Sequence, residues 1–326
     1  MTGIGTNALD RRSLHAAAEV VHCHVPATPQ IRWSLLCARA GADVWVKHEN
    51  HSPVGAFKLR GGLVYFDELV RCEPGIKGVI AATRGNHGQS VAFAASLHGL
   101  RSVIVVPHGN SREKNSAMRA LGAELIEYGR DFQESLEYAT RLAAERGLRM
   151  VPSFAEPLVR GVATCALELF EAVANLDALY VPIGLGSGIC GALAARDALG
   201  LETEIVGVVA AAAPAYALSF EAREPVSAEV APTIADGMAC RTPNSEAFAM
   251  MLDRVSRIVM VEEPEIRAAM RHLFADTHNA AEGAGAAALA ALVKERDRMQ
   301  GRRAGIILTG GNVDSEIFSG ILAEKA

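Results

Sequence analysis

Short apolar runs alternate along the chain with longer segments whose apolar residues recur at helical spacing. The short runs are rich in Val, Ile and Ala and predict buried strands, which we place at 43–47, 78–82, 102–107, 124–128, 178–182, 204–209 and 304–308. The longer segments predict helices, which we place at 89–98, 112–121, 132–146, 162–175, 190–199, 263–276 and 284–297. Alternation of this kind is typical of mostly parallel sheets covered by helices on both faces, so the pattern predicts an α/β fold.

The stretch from residue 78 to residue 146 holds three consecutive strand–helix pairs and is compact enough to form a domain of its own. A second series of elements begins near residue 151, and the segment before residue 78 adds a strand and a helix that must pack elsewhere. We therefore predict a small domain over residues 78–151 and a discontinuous large domain over residues 1–77 plus 152–326, each with three layers.

Composition and charge narrow the class of protein. The 326 residues are 50% hydrophobic, which suits a globular chain with a substantial core and excludes a disordered one. The formal net charge is −5 and the basic residues form no stripe, so we expect no nucleic-acid partner. The longest apolar stretch, residues 205–220, contains Pro214 and is shorter than the roughly 20 residues that cross a bilayer. No apolar segment precedes Arg12, so we expect a cytoplasmic protein that makes no membrane contact.

The six cysteines are scattered and show no CxxC spacing, so they predict no zinc site. We interpret all six as reduced thiols of the protein core, because several of them lie in apolar runs.

A glycine-rich segment, Gly184-Leu-Gly-Ser-Gly-Ile-Cys-Gly191, lies between a predicted strand and a predicted helix. A turn of this kind brings backbone N–H groups and the positive end of the helix dipole close to a phosphate. From Gly186 the same residues also fit GxGxxG, so a nicotinamide oxidoreductase is an alternative hypothesis. That fingerprint expects a carboxylate at the end of the next strand, where this chain has alanines at 210–213.

Lys58 is the candidate for a carbonyl-reactive amine. Of the six lysines it alone lies between apolar neighbours with glycines close by, whereas Lys114 and Lys294 are interpreted as helix-surface residues and Lys47 as the polar end of a strand. Apolar surroundings lower the pKa of a lysine and favour the neutral, nucleophilic amine. An ordinary lysine at a helix start is the alternative interpretation of Lys58.

Two further segments follow predicted strands. Ala81-Ala-Thr-Arg-Gly-Asn-His-Gly88 leads into a helix, so its amides and polar side chains could hold a carboxylate or a phenolic oxygen. Leu308-Thr-Gly-Gly-Asn312 places a hydroxyl at a strand end before two glycines. Each of these signals is weak when taken alone.

Together and in this order, the four segments resemble the fold-type II pyridoxal-phosphate enzymes, and most closely their threonine/serine dehydratase branch. Members carry a Ser-Phe-Lys-x-Arg-Gly motif whose lysine binds the cofactor covalently, and this chain matches it from Phe57 to Gly61 but has Ala56 in place of the serine. The family's Ser/Thr-x-Gly-Asn-His turn resembles residues 83–87, and its glycine-rich phosphate loop resembles residues 184–188. The stretch Thr233-Ile-Ala-Asp-Gly237 is also similar to a dehydratase segment.

The resemblance implies a role for each matching residue. Glu282 is included because residues 282–285 are similar to a Glu-x-Ala-Gly-like motif of the family. The residues that the resemblance implies for cofactor binding are Phe57, Lys58, Asn86, Gly184, Leu185, Gly186, Ser187, Gly188, Glu282 and Thr309. The residues that the resemblance implies for binding the substrate carboxylate are Thr83, Arg84, Gly85, Asn86 and His87. Some relatives have a second serine at the position of Arg84, so its replacement argues against a racemase. Some also bind a divalent cation with acids after the strand that here ends at Ala210, and without those acids we expect no metal.

The resemblance implies a pyridoxal-phosphate-dependent lyase of amino-acid catabolism. It would remove the β-hydroxyl of an amino acid such as L-threonine or L-serine and release a 2-oxo acid and ammonia, with Lys58 as the catalytic base. A β-hydroxyaspartate and a β-aryl serine stay open as substrates, and a homodimer is implied. A nicotinamide-dependent oxidoreductase that uses Gly186–Gly191 and a catalytically silent phosphate-binding module are the alternatives from other classes.

Overall fold

The computed structural model describes residues 9–324. The helices of this part are α1 (Arg11–His22), α2 (Ser34–Ala40), α3 (Lys58–Cys72), α4 (Asn86–Leu97), α5 (Arg112–Ala120), α6 (Phe132–Arg146), α7 (Glu156–Ala172), α8 (Ser187–Ala198), α9 (Ala215–Ala222), α10 (Ser245–Met251), α11 (Glu263–Thr277), α12 (Gly283–Lys294), α13 (Arg296–Met299) and α14 (Ser315–Leu322). The strands are β1 (Gln30–Arg32), β2 (Asp43–His48), β3 (Gly78–Ala82), β4 (Arg101–Val106), β5 (Glu124–Glu127), β6 (Arg149–Met150), β7 (Ala178–Pro182), β8 (Glu204–Ala210), β9 (Arg257–Val261) and β10 (Arg303–Leu308).

The larger sheet has six strands in the order β1-β2-β10-β7-β8-β9, and all its pairings are parallel except that of β1 with β2. Every residue of β7 is buried, as expected for a central strand that helices cover on both faces. The crossovers between parallel strands are helical, so the predicted α/β class with mostly parallel sheets is confirmed.

The smaller sheet has four parallel strands in the order β5-β4-β3-β6. Its strands lie between residues 78 and 150, within the segment for which the sequence predicted a small domain. The domain boundaries themselves stay a prediction.

Three helices that lead towards the candidate site pack very closely, because glycines form their contacts. A Cβ on Gly161 of α7 would lie 2.3 Å from the carbonyl oxygen of Arg60 in α3. A Cβ on Gly191 of α8 would lie 2.9 Å from the backbone nitrogen of Ala163 in α7. Real Cβ atoms do not approach so closely, so α7 holds α3 and α8 at a fixed spacing that larger residues would disturb.

No helix within residues 9–324 combines the length and the apolar composition needed to cross a membrane. The interpretation that the chain lacks a secretory signal depends mainly on residues 1–8, which lie outside the described part. Cys165, Cys190 and Cys240 are buried free thiols as predicted, but Cys23 and Cys72 are exposed, so the core interpretation is wrong for these two.

Candidate functional site

The four sequence segments converge at the carboxyl ends of parallel strands. Residues 83–85 follow β3, residues 183–186 follow β7, and residues 309–312 follow β10. The start of α3 lies against the last of these, since the backbone N–H of Phe57 donates to the carbonyl of Thr309 at 2.9 Å. Crevices at the carboxyl ends of parallel strands are where α/β proteins bind ligands, so the convergence marks a candidate active site.

Lys58 is the first residue of α3, and its Nζ donates a hydrogen bond to Ser187 Oγ at 2.7 Å. This contact joins the predicted reactive amine to the glycine-rich turn. Burial disfavours the charged ammonium and lowers the pKa of Lys58 to about 8. A substantial fraction of the amine is therefore neutral near physiological pH, as a nucleophile or a base requires.

The glycine-rich turn leads directly into α8, whose first residue is Ser187. The N-cap residue Gly186 has a left-handed φ of 104°, and no side chain caps this helix end. The first N–H groups of a helix have no partner within it, so the amides at the start of α8 are available to an anion. A Cβ on Gly184 would lie 2.3 Å from the carbonyl oxygen of Gly237, which restricts this position to glycine. The carbonyl of Leu185 accepts a hydrogen bond from the Tyr216 hydroxyl at 3.0 Å.

The turn after β3 carries the residues predicted to hold a carboxylate. The N–H of Gly85 donates to Thr83 Oγ1 at 3.0 Å, and Asn86 begins α4. His87 has a pKa lowered to about 3, first because its ring is buried and second because Lys58 is nearby, so the ring is neutral. Arg84 is exposed and forms no ion pair with the described residues.

Asn86 links this turn to two other segments of the chain. Its Nδ2 donates to Glu282 Oε1 at 2.5 Å, and its Oδ1 accepts from Asn312 Nδ2 at 2.9 Å. The backbone N–H of Glu282 donates to the carbonyl of Gly310 at 3.1 Å. Glu282 therefore lies beside the predicted cofactor residues although it is remote from them in sequence.

Thr309 lies at the end of β10 and is 5% exposed. Together with Phe57 and Gly188 it lines a cavity of about 10 Å³, which Val181 and Ile307 help to close. The apolar wall and the single threonine hydroxyl give this part of the site a neutral character.

The structure corrects the interpretation of two lysines. Lys114 is not a surface residue: its side chain is 7% exposed, and its Nζ lies 2.9 Å from Asp236 Oδ2 and 3.0 Å from Glu282 Oε2. Lys47 is completely buried and pairs with Glu168 at 2.5 Å. Both errors have one cause, because the neutralising carboxylates are distant in sequence.

Burial raises the pKa of Glu282, while the Lys114 ammonium opposes that rise. Burial alone would lower the pKa of the Lys114 ammonium, but the carboxylates of Glu282 and Asp236 outweigh this effect and raise it. Lys114 and Asp236 thus belong to the site although neither was assigned a role from the sequence. The signal for Asp236 was present in the stretch Thr233–Gly237, which the resemblance had singled out without a function.

Residues 9–324 contain no cluster of three or more His, Cys, Asp or Glu side chains that could hold a metal ion.

Comparison with known proteins gives consistent relatives. The family model described as "Pyridoxal-phosphate dependent enzyme" matches residues 23–310. An L-threonine ammonia-lyase of Geobacter sulfurreducens is 37% identical over 282 residues, which cover 86% of this chain and 70% of the relative. An L-threo-3-hydroxyaspartate ammonia-lyase of Pseudomonas sp is 34% identical over 310 residues, which cover 94% of this chain and 96% of the relative. The solved structure of the processed form of threonine deaminase isoform 2 from Solanum lycopersicum aligns with a TM-score of 0.90 and 29% identity, over 99% of this chain and 90% of that one.

Proposed function

Because the chain belongs to the family of pyridoxal-phosphate dependent enzymes, we propose that it is an ammonia-lyase for β-hydroxy amino acids. It removes the β-hydroxyl group of an amino acid such as L-threonine or L-serine and releases a 2-oxo acid and ammonia. The names of the Geobacter and Pseudomonas relatives support this reaction class. The observation that carries the proposal is the amine of Lys58, which donates a hydrogen bond to Ser187 at the glycine-rich start of α8.

The residues of the site fit pyridoxal phosphate on two observations. The start of α8 offers uncapped amides to a phosphate, and Ser187 adds a hydroxyl next to them. Lys58 offers an amine with a lowered pKa to the aldehyde. Residues 184–188 would hold the phosphate of this cofactor, Phe57 and Thr309 would line the place of its ring, and Lys58 would bind its aldehyde group. The family assignment favours this cofactor over a nicotinamide dinucleotide at Gly186–Gly191.

The cofactor, when bound, supplies the electron sink for the carbanion chemistry at the α-carbon. Lys58 acts as the general base, because its neutral amine can take a proton within the reach of one side chain. Burial keeps the pKa of this amine near the working pH, where a base can both accept and return a proton.

The electrostatics around the base favour a neutral or weakly polar environment for the ring. At the end of β10, Thr309 would offer the ring of a bound cofactor a neutral hydroxyl rather than a carboxylate. Asn86 and Glu282 lie beside Gly310, the residue after Thr309, and Lys114 pairs with Glu282 to balance its charge. These side chains would surround a bound cofactor with one neutral hydroxyl and one carboxylate whose charge Lys114 balances.

The turn between β3 and α4 receives the substrate carboxylate. The start of α4 presents free amides in the same way as α8 does, and Thr83 and Asn86 add polar side chains. His87 is neutral, because burial lowers its pKa, so its ring adds no positive charge to this turn.

The proposal is tested by Lys58→Ala. We expect this variant to lose both the visible absorbance of the bound cofactor and the release of 2-oxo acid from β-hydroxy amino acids, because the covalent anchor and the base are the same amine. Lys77→Ala is the matched control, since Lys77 is an exposed lysine remote from the site. A Lys58→Ala protein with wild-type absorbance and turnover would refute the assignment.

We also propose that the protein is a cytoplasmic homodimer, as the family resemblance implies. Large apolar side chains are exposed on three helices that pack side by side, namely Leu35 on α2, Phe274 on α11 and Ile317 on α14. A second copy of the chain would remove this apolar surface from water.

A further inference from the structure

Arg84 occupies the centre of the turn proposed to hold the substrate carboxylate, yet the fold makes no use of its charge. Its side chain is exposed and forms neither an ion pair nor a hydrogen bond with any residue between 9 and 324. Most arginines in this part of the chain are paired, as Arg60 is with Glu49 and Arg257 with Glu295. The free guanidinium of Arg84 is therefore available to a ligand.

The other cation at this turn is already neutralised. Lys114 Nζ lies 3.4 Å from the position that a Cβ on Gly85 would occupy, so its ammonium reaches the turn. That ammonium donates to both carboxylate oxygens of Asp236, and Glu282 Oε2 lies 3.0 Å from it, so two carboxylates already balance its charge. Within the described part of the chain, Arg84 is thus the cation of this turn that lacks a carboxylate partner.

A free guanidinium beside a carboxylate-binding turn has two kinds of suitable partner on a substrate, a second carboxylate or an aromatic ring. The carboxylate is favoured, because the planar fork of arginine matches it with two charge-assisted hydrogen bonds, whereas cation–π attraction is weak where both groups are solvated. The α-carboxylate is served by the amides and polar side chains of the turn itself. The second carboxylate would therefore be carried by the β-carbon.

We infer that Arg84 binds a β-carboxylate and makes this enzyme prefer β-hydroxy dicarboxylic amino acids, such as a 3-hydroxyaspartate, over L-threonine and L-serine. The inference rests on the proposed function and names its substrate class. The reaction is unchanged: the α-proton and the β-hydroxyl leave as water, and a water molecule then replaces the nitrogen, which leaves as ammonia. The second carboxylate is retained in the product, and no oxidant or reductant is needed.

The test compares kcat/KM for L-threo-3-hydroxyaspartate and for L-threonine in the holoenzyme. We expect the wild type to prefer the dicarboxylate and Arg84→Gln to lower the ratio of the two values by 10-fold or more, chiefly through KM for the dicarboxylate. Arg84→Lys should restore part of the ratio, because it keeps the charge without the fork. Arg11→Gln, which removes an exposed arginine of α1, should keep the wild-type ratio. A ratio unchanged in Arg84→Gln would overturn the inference, and so would a selective loss of activity on a β-aryl serine.

A binding measurement separates this inference from the proposed function. Succinate has two carboxylates on a four-carbon chain, whereas butyrate has one, and neither carries an amine that could react. We expect calorimetry to show at least 10-fold tighter binding of succinate than of butyrate by the wild-type holoenzyme, and loss of this difference in Arg84→Gln. If no β-hydroxy amino acid yields a 2-oxo acid, the proposed function fails, and the succinate comparison still decides the role of Arg84. If L-threonine is consumed but succinate binds equally to both proteins, the inference on Arg84 alone is wrong.

Discussion

The amine of Lys58 shows how burial prepares one residue for chemistry. Its desolvated surroundings lower its pKa to about 8 from an ordinary value of 10.5. Because the neutral amine attacks the aldehyde, the rate at which pyridoxal phosphate combines with the apoprotein should rise with pH and reach half its maximum near pH 8. Stopped-flow absorbance between about pH 6 and about pH 12, a range that spans the two pKa values, measures this rate. A half-maximum near pH 10 would mean that Lys58 is not desolvated in solution.

At this scale the surroundings of a residue were predictable only where they are local. Lys58 was singled out because its apolar neighbours are adjacent in the chain, and its role in catalysis stays a prediction. Lys114 was misplaced, because its surroundings in sequence are charged while its real partners, Asp236 and Glu282, lie more than a hundred residues away. The local sequence shows which neighbours a residue has within its own helix or strand. It does not show which distant residues tertiary packing places next to it.

At the scale of elements, the glycine-rich turn depends on a close contact between two loops. A Cβ on Gly184 would collide with the carbonyl of Gly237, and neither partner is a flexible side-chain end. We expect Gly184→Ala to displace the turn before α8 and to weaken cofactor binding by 10-fold or more, because the α8 amides would move away from the phosphate. Fluorescence titration of the apoprotein with pyridoxal phosphate measures the affinity.

Gly75→Ala is the control for this substitution, since a Cβ there meets no atom within 4 Å and the residue has an ordinary φ. Equal affinities of the two variants and the wild type would contradict the structural role of the Gly184 contact.

The elements were predictable where local pattern decides them. The predicted strands at 78–82 and 178–182 coincide with β3 and β7, because uniformly apolar runs end there at clear turn residues. The short strands β1 and β6 were not predicted, since two or three residues carry no pattern and exist as strands only through pairing. The predicted helix at 162–175 begins six residues earlier, at Glu156, where Pro157 in the first turn suits a helix start.

At the scale of the whole molecule, Lys114 joins the two sheets across the site. It lies on α5, which follows a strand of the smaller sheet, whereas Glu282 precedes α12, which packs on the larger sheet. We expect Lys114→Met to lower the free energy of unfolding by about 3–5 kcal/mol at pH 8, because it leaves a buried carboxylate without its counter-charge. The loss should shrink towards pH 5, where Glu282 can take up a proton, since its pKa is already raised by burial.

Urea unfolding of the apoprotein at the two pH values measures this effect. Lys294→Met is the matched control: Lys294 pairs with Glu265 on the surface, where removal of one partner costs about 1 kcal/mol or less. A Lys114→Met protein as stable as the control at pH 8 would show that the contact between the two sheets contributes no net stability.

The close glycine contacts of α7 with α3 and α8 bear on how this architecture can change. Through these contacts α7 fixes the distance between the amine of Lys58 on α3 and the hydroxyl of Ser187 on α8. A larger residue at Gly161 or Gly191 would alter that distance. Arg84, by contrast, is exposed on a turn and forms no hydrogen bond or ion pair with the described residues. Substitutions in the turns can therefore change which substrate binds, while the helix contacts keep Lys58 and Ser187 at the same distance.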